Sequence, residues 1–249
     1  MSWDYGVLAT EVYELDKPVG GSFADVRNYQ RLLDGLGGRI LEPAVGTGRV
    51  LIPLLEAGFD VTGYDSSPEM LAVCRAHCRE RGLDPRLSED DMTSFVEPGA
   101  YAAVIIPAGT LSLLDGRDAL LKALGCFREC LQPSGVLAFD IGATQPEAEP
   151  DAMRSWRSDP FIWTLQTMHV EHDPSTNQTT SWLRYEKWQD GTLIATELQR
   201  LRLQQWTIPE LDALLREAGF ASVHVTANHQ DDIMPGPDSA IWTFQAATA

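Results

Sequence analysis

The sequence predicts an α/β fold: a doubly wound, mostly parallel sheet of seven strands, the last antiparallel, with an antiparallel β-meander inserted late in the chain. Three observations carry this. Short apolar strand runs alternate with helical segments from residue 39 to residue 142, the rhythm of a parallel sheet with right-handed crossovers. The first strand runs into a glycine turn, ILEPAVGTGRV at 40–50. Between residues 161 and 206 the pattern changes to three long extended runs split by turn residues.

The elements follow in order. Residues 1–38 read as an N-terminal helical arm or cap with Trp3, Tyr5 and Tyr13, then a helix over 23–36 stopped by Gly37-Gly38. Residues 39–142 read as the core. Strands are expected at 39–42, 60–64, 86–89, 102–106 and 136–141, short and apolar as befits strands buried on both faces. Helices are expected at 47–57, 68–81 and 117–131. Ser67 suits the N-cap of the second, with Pro68 at its first position. Gln132-Pro133-Ser134-Gly135 reads as a turn.

Residues 143–206 read as the inserted meander, a lid, acceptor wall or dimer region. Pro146, Pro150 and Pro160 break regular structure first. Extended runs at 161–172, 180–188 and 192–206 then alternate with turns at Asp173-Pro174-Ser175 and Asp190-Gly191. In the second run Trp182, Arg184, Glu186 and Trp188 share one face, and Leu183, Tyr185 and Lys187 the other. One face is expected to bury against the main domain or a second subunit. Residues 207–249 complete the core: a helix at 207–218, with Thr207 and Glu210 forming a capping box, and strands at 220–226 and 240–245 joined by the loop Met234-Pro235-Gly236-Pro237.

The 249 residues are 44% apolar and 22% charged, enough for a substantial core. No apolar run reaches the ~20 residues of a membrane span, and no signal peptide is read at the start, so a cytoplasmic protein is expected. The formal net charge is −17 with only three lysines, Lys17, Lys122 and Lys187. Nucleic acid and anionic membrane are disfavoured, because their binders rely on basic surfaces. An amine-bearing small molecule suits the field. Cys74/Cys78 and Cys126/Cys130 are spaced i, i+4. Their helices are expected on opposite faces of the sheet, so the pairs read as thiols of a reducing compartment and no metal is expected.

The glycine turn admits two ligand classes. A dinucleotide pattern needs a third glycine, and Leu51 stands there, which argues against a nicotinamide-dependent oxidoreductase. The other class is S-adenosyl-L-methionine. The chain resembles the class I S-adenosylmethionine-dependent methyltransferases, with their Rossmann-like fold, in four motifs. Glu42, Ala44, Gly46 and Gly48 occupy the first, with Ala44 in place of its first glycine. Asp65 ends strand two and is followed by Ser66-Ser67-Pro68-Glu69-Met70-Leu71. Asp91 and Met92 follow strand three. Pro107 opens the stretch after strand four. The resemblance implies that Glu42 faces the cofactor's amino group, that Asp65, beside Ser66, accepts from the ribose hydroxyls, that Asp91 takes the adenine amine with Met92 against the ring, and that Pro107 borders the methyl. The arm resembles that of bacterial small-molecule methyltransferases, including those acting on sugar amines and other natural products. There Tyr5, Tyr13 and Tyr29 are candidates to cover the methionine end.

The expected reaction is methyl transfer to N or O of a small organic acceptor, leaving S-adenosyl-L-homocysteine. Positioning and exclusion of water provide much of the catalysis, so no dedicated residue is obligatory for a neutral amine, while a hydroxyl acceptor would profit from a general base; His169 and His172 are the candidates. The alternatives are a same-fold protein that methylates a protein side chain or does other S-adenosylmethionine chemistry, and a binding module without turnover. Ile106-Pro107-Ala108-Gly109 lacks the N/D-P-P-Y/F stretch of adenine and glutamine methylases, and Pro107 and Ile141 stand where magnesium-dependent catechol-type enzymes carry metal ligands. A homodimer is compatible with the meander.

Overall fold

The computed structural model describes residues 5–21, 23–142, 153–230, 233–236 and 238–248. Trp3, Pro146, Pro150 and Pro237 lie outside the described residues. In chain order, α1 (Val7–Asp16) and α2 (Asp25–Leu33) precede β1 (Ile40–Pro43), α3 (Leu51–Glu56), β2 (Val61–Asp65), α4 (Pro68–Glu80), β3 (Leu87–Glu89) and β4 (Tyr101–Ile106). A 3₁₀ turn, Thr110–Leu113, leads to α5 (Gly116–Cys130) and β5 (Leu131–Gly142). Then come β6 (Met153–Ser158), β7 (Phe161–Asp173), β8 (Gln178–Gln189), β9 (Thr192–Gln204), α6 (Ile208–Glu217), β10 (Ser222–Ala227) and β11 (Ile241–Ala247).

Seven strands form one sheet in the order β10-β11-β5-β4-β1-β2-β3. All pairs are parallel except those of β11, which is antiparallel to both neighbours. From β1 the chain winds outward to β3, then restarts at β4 on the other side. A crevice therefore opens at the carboxyl ends of β1 and β4, where doubly wound sheets bind ligands. Strand periodicity sorts the core into two layers. Ile40, Ala103, Ile105 and Ala138 meet α2, α3 and α4, while Leu41, Val104, Leu137 and Phe139 meet α5 and α6. Cys74 and Cys78 sit in the first layer and Cys130 in the second.

The inserted sheet is four-stranded, β6-β7-β8-β9. Its inner face, with Trp163, Leu165 and Tyr185, packs on Leu8, Ala9 and Val12 of α1. So the buried face of β8 is the Leu183/Tyr185/Lys187 face, and it meets the N-terminal arm. Polar contacts fasten the same junction. The Glu197 carboxylate accepts from the Leu8 and Ala9 N–H groups at 3.0 and 3.3 Å, supplying the anion that a helix N-terminus favours. A Cβ at Gly6 would stand 2.5 Å from Glu197 Oε1, so a side chain there would push the carboxylate away from the helix N-terminus. Glu11 Oε2 accepts from Trp163 Nε1 at 2.6 Å and Lys187 Nζ at 2.8 Å.

The structure departs from the sequence expectations at several points. The helix expected from Thr47 begins at Leu51, because Gly46 and Gly48 have φ of +56° and +89°, outside the helical region. The expected turn at Gln132–Gly135 lies within β5 as an irregularity. Leu131 pairs with Tyr101, then Val136 with Ala103, and Ser134 takes φ +61°. The stretch expected to be irregular up to Pro160 contains β6, a strand rich in polar and exposed residues that carries no apolar alternation. Trp206, read with the meander, packs in the main core instead.

Candidate active site

The β1 turn is built by backbone geometry. Ala44 lies in the left-handed region at φ +51°. Val45 N–H donates to Tyr64 O at 2.9 Å, and Gly48 N–H to Val45 O at 3.0 Å. The two glycines differ in what surrounds them. A Cβ at Gly48 would meet Cys74 Sγ and Ile52 Cδ1 at 2.9 Å, whereas one at Gly46 would meet nothing within 4 Å. Gly48 thus lets the turn pack on α3 and α4, while the side of Gly46 faces open space. An alanine at left-handed φ costs about 1–2 kcal/mol, and glycine's extra freedom in the unfolded chain costs about 0.4–1 kcal/mol. Ala44→Gly should therefore raise stability by about 0.5–1 kcal/mol, read as a higher urea midpoint at unchanged slope.

Two acids flank the turn. Asp65, at the end of β2, accepts from Gly46 N–H on Oδ2 and from Ser67 N–H on Oδ1, both at 2.8 Å. Burial raises its pKa, and the backbone N–H groups of Ser67, Gly46 and Ser66 oppose that. Each oxygen keeps a second lone pair for a ligand. Glu42, at the end of β1, is 2% exposed, and its Oε2 has no hydrogen-bond partner. Burial pushes its pKa well up; Arg49 pulls it down, and Asp25 and Asp65 add to the rise.

Arg49 is the site residue that the motif reading missed. It is buried and pairs with Asp25 Oδ2 at 2.6 Å. Its guanidinium lies 5.3 Å from the Phe23 ring centroid and against the Tyr13 hydroxyl. Nε and Nη1 make no well-aligned hydrogen bond. Only its place straight after the glycine turn signalled it. A buried cation, Arg49, and a partnerless buried carboxyl, Glu42, on one turn can hold a zwitterionic ligand bearing both ammonium and carboxylate.

The other expected residues are placed as follows. Tyr13 and Tyr5 meet edge to face at 5.9 Å, and Tyr5 O accepts from Ser67 Oγ at 3.2 Å, so α1 lies along the β2 end of the crevice. His77 Nε2 on α4 meets Glu14 of α1 at 3.1 Å. Tyr29 is fully buried and donates to Ile106 O at 3.4 Å. Ser66 is exposed beside Asp65, and Pro107 is buried with its carbonyl taking Thr110 Oγ1 at 2.7 Å. Asp91 is exposed and accepts from Thr93 N–H at 2.7 Å. Met92 packs at the edge of the main core. His169 and His172 are exposed on the outer part of β7. His169 lies 5.1 Å from the Trp182 ring and His172 Nδ1 is 3.2 Å from Thr179 Oγ1.

A further buried cluster lies at the end of β5. Asp140, with no exposed surface, accepts from Thr243 Oγ1 at 2.7 Å and stands 3.2 Å from His229 Nε2. His229 lies in the β10–β11 connection. A separate cleft of about 730 Å³ lies between the β7–β8 turn, the start of α5 and α6, with Asp115, Asn177, Gln204 and Trp206 in its lining.

The strand order, with the glycine turn after β1 and β11 antiparallel beside β5, is that of the Rossmann-like methyltransferase fold. Residues 40–135 match the methyltransferase domain family. The chain is 28% identical over 198 residues to a putative methyltransferase, YqeM, of Bacillus subtilis, covering 78% of each. It is 27% identical over 141 residues to the dTDP-3-amino-3,4,6-trideoxy-alpha-D-glucopyranose N,N-dimethyltransferase of Streptomyces venezuelae, covering 55% of this chain and 58% of the relative. Among solved structures, the CcbJ methyltransferase of Streptomyces caelestis superposes with a TM-score of 0.78 at 23% identity over 100% of both chains. The sugar N-methyltransferase KedS8 of a Streptoalloteichus species superposes with a TM-score of 0.71 at 20% identity, covering 92% of this chain and 89% of that one. Residues 40–135 thus carry a methyltransferase domain, and the whole chain has the fold of solved methyltransferases. No helix among the described residues is long and apolar enough to cross a membrane.

Proposed function

We propose that the protein transfers a methyl group from S-adenosyl-L-methionine to a small organic acceptor, through an amine nitrogen or a hydroxyl oxygen, the amine being favoured. The observation that carries the cofactor assignment is the set of partnerless buried groups beside the glycine turn, Glu42 Oε2 and Arg49 Nε and Nη1. These fit the ammonium and carboxylate of a methionine moiety. When bound, the cofactor supplies an electrophilic methyl carbon, which the acceptor's lone pair takes while the C–S electron pair stays on sulfur and S-adenosyl-L-homocysteine remains.

The chain's own residues divide the work. Glu42 receives the ammonium and Arg49 the carboxylate. Asp65 offers its remaining lone pairs to the ribose hydroxyls, beside Ser66. Asp91 and Met92 take the adenine edge and face. Gly46 leaves room for close approach. Tyr5 and Tyr13 on the arm cover the methionine end and exclude water, and Pro107 borders the acceptor. Holding both reactants in line accounts for roughly 7–11 kcal/mol of barrier reduction in well-oriented systems. A neutral amine already carries its lone pair, so no dedicated base is invoked. The amine preference rests on the amino-sugar activity of the Streptomyces venezuelae relative and on the net charge of −17, which concentrates cationic solutes.

Calorimetry with S-adenosylmethionine, on the parent and on Asp65→Ala, tests the site. The parent should bind, and the variant should lose ~1–3 kcal/mol as the ribose hydroxyls lose their acceptor. Mass spectrometry of amino-sugar and simple amine mixtures should then show products heavier by one methylene. Absence of binding by folded parent protein would sink the cofactor reading.

A further inference from the structure

The Asp140–His229 pair is not used by the proposed chemistry, yet Asp140 has no exposed surface and His229 closes over it. His229 follows Asn228, and both adopt left-handed backbone, at φ +56° and +54°. The Asn228 side chain holds this turn by accepting from Ala240 N–H at 2.9 Å. The turn drives the imidazole inward. Its Nε2 stands 3.2 Å from Asp140 Oδ2, bent away from ideal alignment, and the ring also hydrogen-bonds the Phe23 backbone. The His229 carbonyl takes Arg31 Nη2 at 3.5 Å. One side chain thus joins β5, the β10–β11 connection and the segment entering α2. That segment carries Phe23, whose ring lies against Arg49, and Asp25, which pairs with Arg49.

We infer that His229, held by Asp140, is a positioning residue that latches the Phe23–Asp25 segment against Arg49, and that the latch is closed only while its imidazole is protonated. The consequence for the cofactor rests on the assignment of Arg49 to the methionine carboxylate. The physical reason is a donor count. Asp140 and the Phe23 backbone each need an N–H, and only imidazolium offers two. The charged groups facing the ring are Asp140 from β5 and Asp25 and Arg31 from α2, with the buried Tyr29 beside Asp140. Asp231 and Asp232 follow in sequence and lie outside the described residues. Burial alone would lower the His229 pKa, but the hydrogen bond and charge of Asp140, with Asp25 and the Phe23 backbone, raise it above its ordinary value. The latch is therefore fully present below the ordinary histidine pKa and is lost as pH rises through the folded-state value.

Hydrogen exchange of the 23–31 amides in cofactor-free protein, corrected for intrinsic rates, is compared at about pH 6 and about pH 9, on either side of the ordinary histidine value. The parent should lose roughly threefold to tenfold in protection at the higher pH. His229→Gln, whose donors sit on a single nitrogen and cannot span Asp140 and the Phe23 backbone, and which does not titrate, should be weakly protected at both. Asp140→Asn, nearly isosteric, should move the transition to lower pH, and it serves should His229→Gln not fold. S-adenosylmethionine affinity of the parent should fall by a similar factor at the higher pH. Any decline from the ligand's own ammonium persists in His229→Gln and is subtracted. Exchange that is independent of pH in the parent, or equally dependent in His229→Gln, overturns the latch. Exchange as expected, with no cofactor binding at any pH, upholds the latch and overturns the cofactor reading instead.

Discussion

Binding of S-adenosylmethionine should release protons from the protein, and Glu42→Gln should abolish the release. Glu42 is buried without a partner for Oε2, and burial next to Asp25 and Asp65 holds its pKa well above the ordinary carboxylate range. In the free protein it therefore keeps its proton to higher pH than an ordinary carboxylate. An ammonium arriving beside it favours the carboxylate, so the proton leaves as the ligand enters. Calorimetric titrations in buffers of different ionisation enthalpy measure this release directly. The sign of the pH dependence follows. Affinity should climb with pH until it passes the free-state pKa of Glu42, then level off. Glu42→Gln should lose the climb and also about 1.5–3 kcal/mol of binding, the range for a hydrogen bond to a charged group, or roughly tenfold to a hundredfold in Kd. Proton uptake in place of release would place the ammonium elsewhere. The climb and the decline expected from His229 oppose each other, so each single variant should remove one limb only.

The parallel sheet was legible because its strands are buried on both faces and show it: YAAVII of β4 has no exposed residue, and helical stretches separate such runs. Motif order then located Glu42 and Asp65, whose places at strand ends follow from the strands themselves. What stayed hidden depends on partners distant in sequence. Arg49 matters through Asp25, and His229 through Asp140, and neither pairing has a local signature. β6 was hidden for a related reason. An edge strand of a small sheet buries little, so MRSWRS shows no alternation. The face of β8 could be derived from period two, but its partner, α1, could not. A short helix with apolar Leu8, Ala9 and Val12 reads the same whether it meets the main sheet or the inserted one.

Replacing Arg49 should produce the largest loss of stability of any single site residue. Arg49 and Asp25 have side chains only 4% and 3% exposed, with their charged atoms 2.6 Å apart. Forming such a pair from water gains little, because desolvation offsets the attraction, whereas removing one partner leaves a buried charge uncompensated. Arg49→Met keeps much of the volume and removes the cation, so Asp25 is stranded near Glu42. The expected cost is about 3–5 kcal/mol, seen as a lower urea midpoint. Adding Asp25→Asn removes the orphaned charge, and the double variant should regain a substantial part of the lost stability. Its cofactor affinity should not return, since no cation then faces the methionine carboxylate. That separation distinguishes a binding role from a merely structural one. If stability and S-adenosylmethionine affinity recover together in the double variant, Arg49 serves the fold alone and the carboxylate is held elsewhere. If stability returns and affinity does not, the buried pair is what keeps a guanidinium, costly to bury alone, fixed at the mouth of the glycine turn.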